Sequence, residues 1–189
     1  MYKYLILFLT VSPLIFVSAQ SPGLVVQTGL TAAFSKDKNV TKESEGHYGW
    51  LVGADARLLE GSLYFVIGGQ YAELNLVSSS KADFFDNDWK LLLLRAGFGF
   101  NILTISDNLA IRSKILGSIN YIADAPENGL NKDGYRQIND SYLGAVTGLG
   151  VTIGAFDVDL EYQHGILNAY REQKDSKFTH WTLMAGFHF

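Results

Sequence analysis

Apolar and polar residues alternate with a period of two in eight segments of this chain, separated from one another by turn signals or polar stretches. Such alternation marks strands with one apolar and one polar face, because successive side chains of a strand point to opposite sides. The segments fall at about 23–35, 47–58, 62–75, 89–103, 108–123, 141–154, 156–163 and 179–189. The first sets Leu24, Val26, Leu30, Ala32 and Phe34 against Gln27, Gly29, Thr31 and Ser35. The fourth sets Leu92, Leu94, Ala96, Phe98, Phe100 and Ile102 against Arg95, Gly97, Gly99 and Asn101. The last carries Trp181, Leu183, Ala185, Phe187 and Phe189 on one face, and its alternation runs to the final residue.

The connections alternate in length. Short ones lie around Glu60-Gly61, 104–107 and Gly154-Ala155, and long polar ones at 36–46, 78–88, 124–140 and 168–177. Aromatics gather at two levels. Tyr48, Trp50, Tyr71, Tyr121, Tyr162 and Trp181 lie toward the long loops, and Phe65, Phe100, Phe156, Phe187 and Phe189 toward the short turns. Two aromatic levels bounding an apolar band are what a membrane interface selects. The expected fold is all-β: an eight-stranded antiparallel up-and-down transmembrane β-barrel with tight turns on one side and longer loops on the other. A water-soluble lipocalin-like barrel shares the strand count but has the opposite polarity, polar outside and apolar within.

The N-terminus refines this picture. Lys3 precedes an apolar run from Tyr4 to Val17, and Val17-Ser18-Ala19 fits a cleavage site. The reading is a signal peptide over residues 1–19, cleaved before Gln20, followed by one barrel domain over 20–189. The run is short for a helical span and is interrupted by Pro13. There is no cysteine, which excludes disulfides, thiolate metal sites and an acylated cysteine anchor. The net charge of −4 gives no support for nucleic-acid binding.

An eight-stranded barrel has an interior that side chains can fill. The polar faces carry Asp55, Arg57, Arg95, Arg112, Lys114, Asp157, Asp159 and Glu161, interspersed with glycines. These eight are expected to form an ion-paired plug inside the barrel, since buried charges persist only when paired.

Catalytic, cofactor and metal signatures are weak. His164-Gly165-Ile166-Leu167-Asn168-Ala169 shares a His and an Asn-Ala with lipid A deacylase barrels, but Ile166 stands where a nucleophile is needed. His180, Thr182 and His188 share a face near the acidic strand and read as inner-wall filling rather than a metal site. The row Asp157, Asp159, Glu161 lacks the loop geometry of a calcium site. No catalytic, cofactor-binding or metal residues are assigned, and no cofactor is expected.

The segment Glu161-Tyr162-Gln163-His164-Gly165-Ile166-Leu167-Asn168, followed by an alternating aromatic C-terminal strand, resembles the small outer-membrane barrels of Bacteroidetes-type bacteria, the PorT-like group. The resemblance implies an eight-stranded barrel in the outer membrane without an established enzymatic activity. It also implies that Trp181, Phe187 and Phe189 are part of a C-terminal signal read by the barrel-assembly machinery. The expected role is structural or surface-interacting. Outer-membrane lipid surrounds the wall, and an extracellular or envelope partner meets loops 36–46, 78–88, 124–140 and 168–177. The rival readings are a narrow porin-like channel, a lipid A-modifying enzyme and a secreted lipocalin-like carrier.

Overall fold

The computed structural model describes residues 23–35, 47–59, 61–78, 89–124, 139–172 and 176–189. The expected leader over 1–19, loop 36–46, most of loops 78–88 and 124–140, and residues 173–175 of loop 168–177 lie outside the described residues.

Eight strands follow in chain order: β1 (Gly23–Ser35), β2 (His47–Leu58), β3 (Leu63–Ser78), β4 (Trp89–Ser106), β5 (Leu109–Asp124), β6 (Ser141–Ile153), β7 (Phe156–Gly165) and β8 (Phe178–His188). Each pairs antiparallel with the next, and β8 pairs back onto β1 to close the barrel. The closing seam runs from Val25 opposite His188 to Ser35 opposite Phe178. Closure leaves no unpaired sheet edge along the seam, as a strand-built membrane span requires. The strands run from 10 to 18 residues, enough for the roughly 9–11 residues of a tilted membrane-spanning strand. Among the described residues there is no helix.

The apolar face is on the outside. Leu94 is 64% exposed, Phe156 63%, Leu30 62% and Ile115 61%, while the inward Arg95 and Asp157 are 3% and 1% exposed. This is the polarity of a barrel whose solvent is hydrocarbon, and the reverse of a water-soluble carrier. The two aromatic levels are present as outward or half-buried rings in contact. Toward the long loops Trp50 meets Tyr71 and Tyr162 meets Trp181. Toward the short turns Phe156 meets Phe187, and Phe187 meets Phe189.

The fourth strand runs past the end expected from its alternation. Its pairing with β5 continues to Ser106 opposite Leu109 through irregularities at Asn101/Leu103 and Thr104/Ser106. Beside β3 the ladder ends at Phe100 opposite Leu63, with one further bond from the Asn101 amide to the Ser62 carbonyl at 2.8 Å. The turn therefore sits at Asp107-Asn108, and the β4–β5 hairpin projects beyond its neighbour with Ile102, Leu103 and Ile105 exposed.

Candidate functional site

The lumen is where the polar residues converge, and the register explains how. Gly68 lies opposite Asp55 on one side and Arg95 on the other. Gly148 stands in the same way between Lys114 and Glu161, and Gly150 between Arg112 and Asp159. Each glycine thus separates two oppositely charged residues that are two strands apart. A Cβ at Gly68 would strike the Asp55 carboxylate, and one at Gly150 the Asp159 carboxylate. One at Gly148 would press within 3.0 Å of Lys114 Cε and 3.1 Å of Glu161 Cγ. The missing side chain is what lets the two charges meet over the intervening strand.

All eight charged residues singled out in the sequence are brought together, in a single chain of alternating sign. Arg95 Nε donates to Asp55 Oδ1 at 2.9 Å, and its Nη2 also contacts the same carboxylate. Arg95 Nη1 crosses the lumen to donate to Glu161 Oε2 at 2.8 Å. Glu161 contacts Lys114, whose ammonium lies 3.6 Å from Asp159. Arg112 Nη2 is 3.3 Å from Asp159 and 3.0 Å from Asp157. Asp157 ends the series on Arg57 Nη2 at 2.5 Å and accepts from the Thr152 hydroxyl at 2.5 Å. The order is Asp55, Arg95, Glu161, Lys114, Asp159, Arg112, Asp157, Arg57, with four charges of each sign and none more than 7% exposed. The carboxylates of β7 occupy three consecutive inward positions, and cations from β2, β4 and β5 interleave with them.

The lumen is layered. Above the charges, toward the long loops, Gln163 donates to Asn120 Oδ1 at 3.1 Å, and Asn120 donates to the Ser118 hydroxyl at 3.2 Å. On the β1–β8 side Thr31 and Thr182 share a hydrogen bond of 3.0 Å. Above these the filling turns apolar: Leu51, Leu74, Trp89, Leu91, Leu93, Tyr142, Tyr170 and Phe178 form one buried cluster. Phe178 meets Trp89 edge-on at 5.3 Å and Tyr142 at 5.9 Å. Tyr170 arrives from the β7–β8 loop, held where its amide donates to the Ser176 hydroxyl at 3.1 Å and the Ala169 amide to the Ser176 carbonyl at 3.0 Å. Part of loop 168–177 thus packs into the barrel mouth, while Arg171 and Glu172 remain exposed.

This apolar upper layer was missed by the alternation argument. Its signal is in the chain: Leu91-Leu92-Leu93-Leu94 has no alternation, so both faces of β4 are apolar at that level.

The remaining candidates are placed as follows. His180 is buried in the upper layer, where its Nε2 shares a 2.8 Å hydrogen bond with the Tyr142 hydroxyl. His188 lies inward at the opposite end, and among the described residues neither ring nitrogen has a hydrogen-bond partner. Among the described residues no three His, Asp or Glu side chains are grouped as a metal set. His164 faces outward and is exposed, between Ala145 of β6 and Thr179 of β8. Ile166 is exposed and has no hydroxyl to offer. Phe189 is outward and half exposed beside Phe187.

No protein-family model matches the chain, and no curated protein matches it. Solved structures do. The outer membrane enzyme PagL superposes with a TM-score of 0.56 at 11% identity, over 87% of this chain and 99% of that one. Neisserial surface protein A superposes with a TM-score of 0.54 at 14% identity, over 88% and 97%. At such identities the likeness is one of fold. The chain has the closed eight-stranded fold of small outer-membrane barrels, in which unrelated functions are housed.

Proposed function

We propose that this protein is a small barrel of the bacterial outer membrane with a structural or surface-interaction role, its lumen closed to solutes. The observation that carries the reading is the unbroken series of ion pairs from Asp55 to Arg57, roofed by the Trp89–Tyr142–Phe178 layer. A conducting lumen needs water along its axis, whereas here the inward charges are spent on one another and the mouth is filled by rings. The partner is expected at loops 36–46, 78–88, 124–140 and 168–177, since segments carried by a rigid scaffold are where binding residues concentrate. The outer-membrane location is supported by the lipid-facing exterior and the shared fold. Export by the 1–19 leader and recognition of Trp181, Phe187 and Phe189 by the assembly machinery belong to the same proposal. So does membership of the PorT-like group, which rests on the Glu161–Asn168 motif.

A non-catalytic role is favoured over lipid A modification because outward His164 is accompanied by Ile166 rather than a nucleophile. The test is conductance of the purified barrel in planar bilayers. The closed lumen is expected to give no steps above the lipid background. Well-resolved, repeated steps from the wild-type protein would replace this reading with a channel. Mass spectrometry of lipid A from deletion and complemented strains tests the enzyme alternative, and identical acylation in both is expected.

A further inference from the structure

The wall that faces lipid is not uniform. On its outer-loop half a trough of about 530 Å³ opens across β3, β4, β5 and β6, lined by Gly69, Leu92, Leu94, Ile119, Tyr121 and Ser141. That volume is within the roughly 300–1,000 Å³ of small-molecule sites. Gly69 makes the floor. It faces outward, and a Cβ added there would meet nothing nearer than the Leu93 carbonyl and Leu94 Cδ2, both at 3.7 Å. Packing does not demand a glycine at this position, as it does at Gly68 beside it. Leu94 stands opposite Gly69 and Ile119 opposite Leu94, so the floor continues as one apolar row over three strands.

The row above it, toward the long loops, changes character at one end. Leu92, Tyr121 and Ser141 lie in register there. Tyr121 and Ser141 are directly opposite one another and both exposed, which sets their Cβ atoms about 4.5–5.5 Å apart. Two hydroxyl-bearing side chains therefore adjoin at the outer end of a trough whose other outward residues are apolar.

We infer that this trough seats one acyl chain of lipid A, with the oxygen on the chain's β-carbon held at Tyr121 and Ser141. The trough is continuous with the lipid-facing wall, so what fills it comes from the membrane rather than from water. It lies on the long-loop side, the outward side of an outer-membrane barrel, and the lipid of that leaflet is lipid A. The chains joined directly to the lipid A sugars carry an oxygen on the β-carbon, close to the headgroup, and Tyr121 stands in the outer aromatic belt at that level. Ordinary glycerophospholipid chains have no oxygen there. Where no water competes, a hydrogen bond to that oxygen separates the two kinds of chain. This inference rests on the membrane-barrel reading above.

The experiment is native mass spectrometry of the detergent-solubilised full barrel, titrated with N-(β-hydroxymyristoyl)glucosamine or with N-myristoylglucosamine, which differ only in that hydroxyl. Wild type is expected to retain one hydroxylated molecule per barrel and to bind the plain chain about tenfold more weakly. Tyr121→Phe combined with Ser141→Ala is expected to bind the two probes equally. Gly69→Leu fills the floor and is expected to lose both while keeping its cold-SDS gel shift; should it not fold, the double variant carries the test. Equal binding of the two probes by wild type would overturn the assignment. So would a preference that survives in the double variant, retention by a folded Gly69→Leu equal to that of wild type, or a barrel dimer that Gly69→Leu dissolves. A failure of the barrel reading itself would show separately, as the absence of a gel shift in the wild-type protein.

Discussion

Arg95 holds two carboxylates at once, Asp55 beside it across β3 and Glu161 across the lumen. Its removal leaves Asp55 buried without its cation and Glu161 with Lys114 alone. Arg57 closes one end of the series, and its partner Asp157 keeps Arg112 and Thr152. Arg95→Ala is therefore expected to cost about 3–5 kcal/mol of unfolding free energy, and Arg57→Ala clearly less, as read from urea midpoints in detergent micelles. Equal and small losses would mean that the pairs are not coupled as drawn. The residues of this network were legible in the chain, because charges on the polar face of a narrow barrel have nowhere to go but inward. Their partners were not, because pairing depends on register. The glycines illustrate the difference. In the chain Gly117 and Gly148 look alike, yet a Cβ at Gly117 would meet nothing closer than 3.9 Å, while one at Gly148 presses on Lys114 and Glu161. Gly148→Val is expected to lower stability by about 1–3 kcal/mol through overpacking. Gly117→Val, on the lipid face, is expected to leave it unchanged or raise it.

The strands themselves were visible from alternation alone. β1 and β2 begin and end where the pattern does, since a half-buried strand must keep strict period two. Where irregular pairing enters, the pattern gives no warning. β4 continues through two irregularities to Ser106 because β5 goes on offering a ladder after β3 has ended. The aromatic roof was obscured for a different reason: an inward apolar residue beside an outward one reads as a plain hydrophobic run. The outward face of each strand carries its own test. Leu94 is 64% exposed on the middle of β4. In lipid, Leu94→Arg is expected to cost about 2–4 kcal/mol, whereas on a water-soluble barrel the same change would be close to neutral. Reversible unfolding from lipid vesicles measures it.

At the scale of the whole molecule, a lumen filled by charged, amide and apolar side chains and an apolar exterior make one object: a closed barrel whose outer face suits lipid. The fold could be reached from period, loop asymmetry and aromatic levels together, none of which depends on a particular residue. What the loops bind could not be reached in the same way, because a binding loop has no period and no polarity rule to betray it. The central claim, a hydrogen-bonded barrel closed from β1 to β8 and resident in a membrane, is tested most directly by one gel. Washed outer membranes are run in SDS with and without boiling. A closed barrel is expected to keep its sheet in cold detergent and to migrate apart from the boiled chain, with the protein wholly in the membrane fraction. A single unshifted band, with the protein recovered in the soluble periplasm, would contradict it.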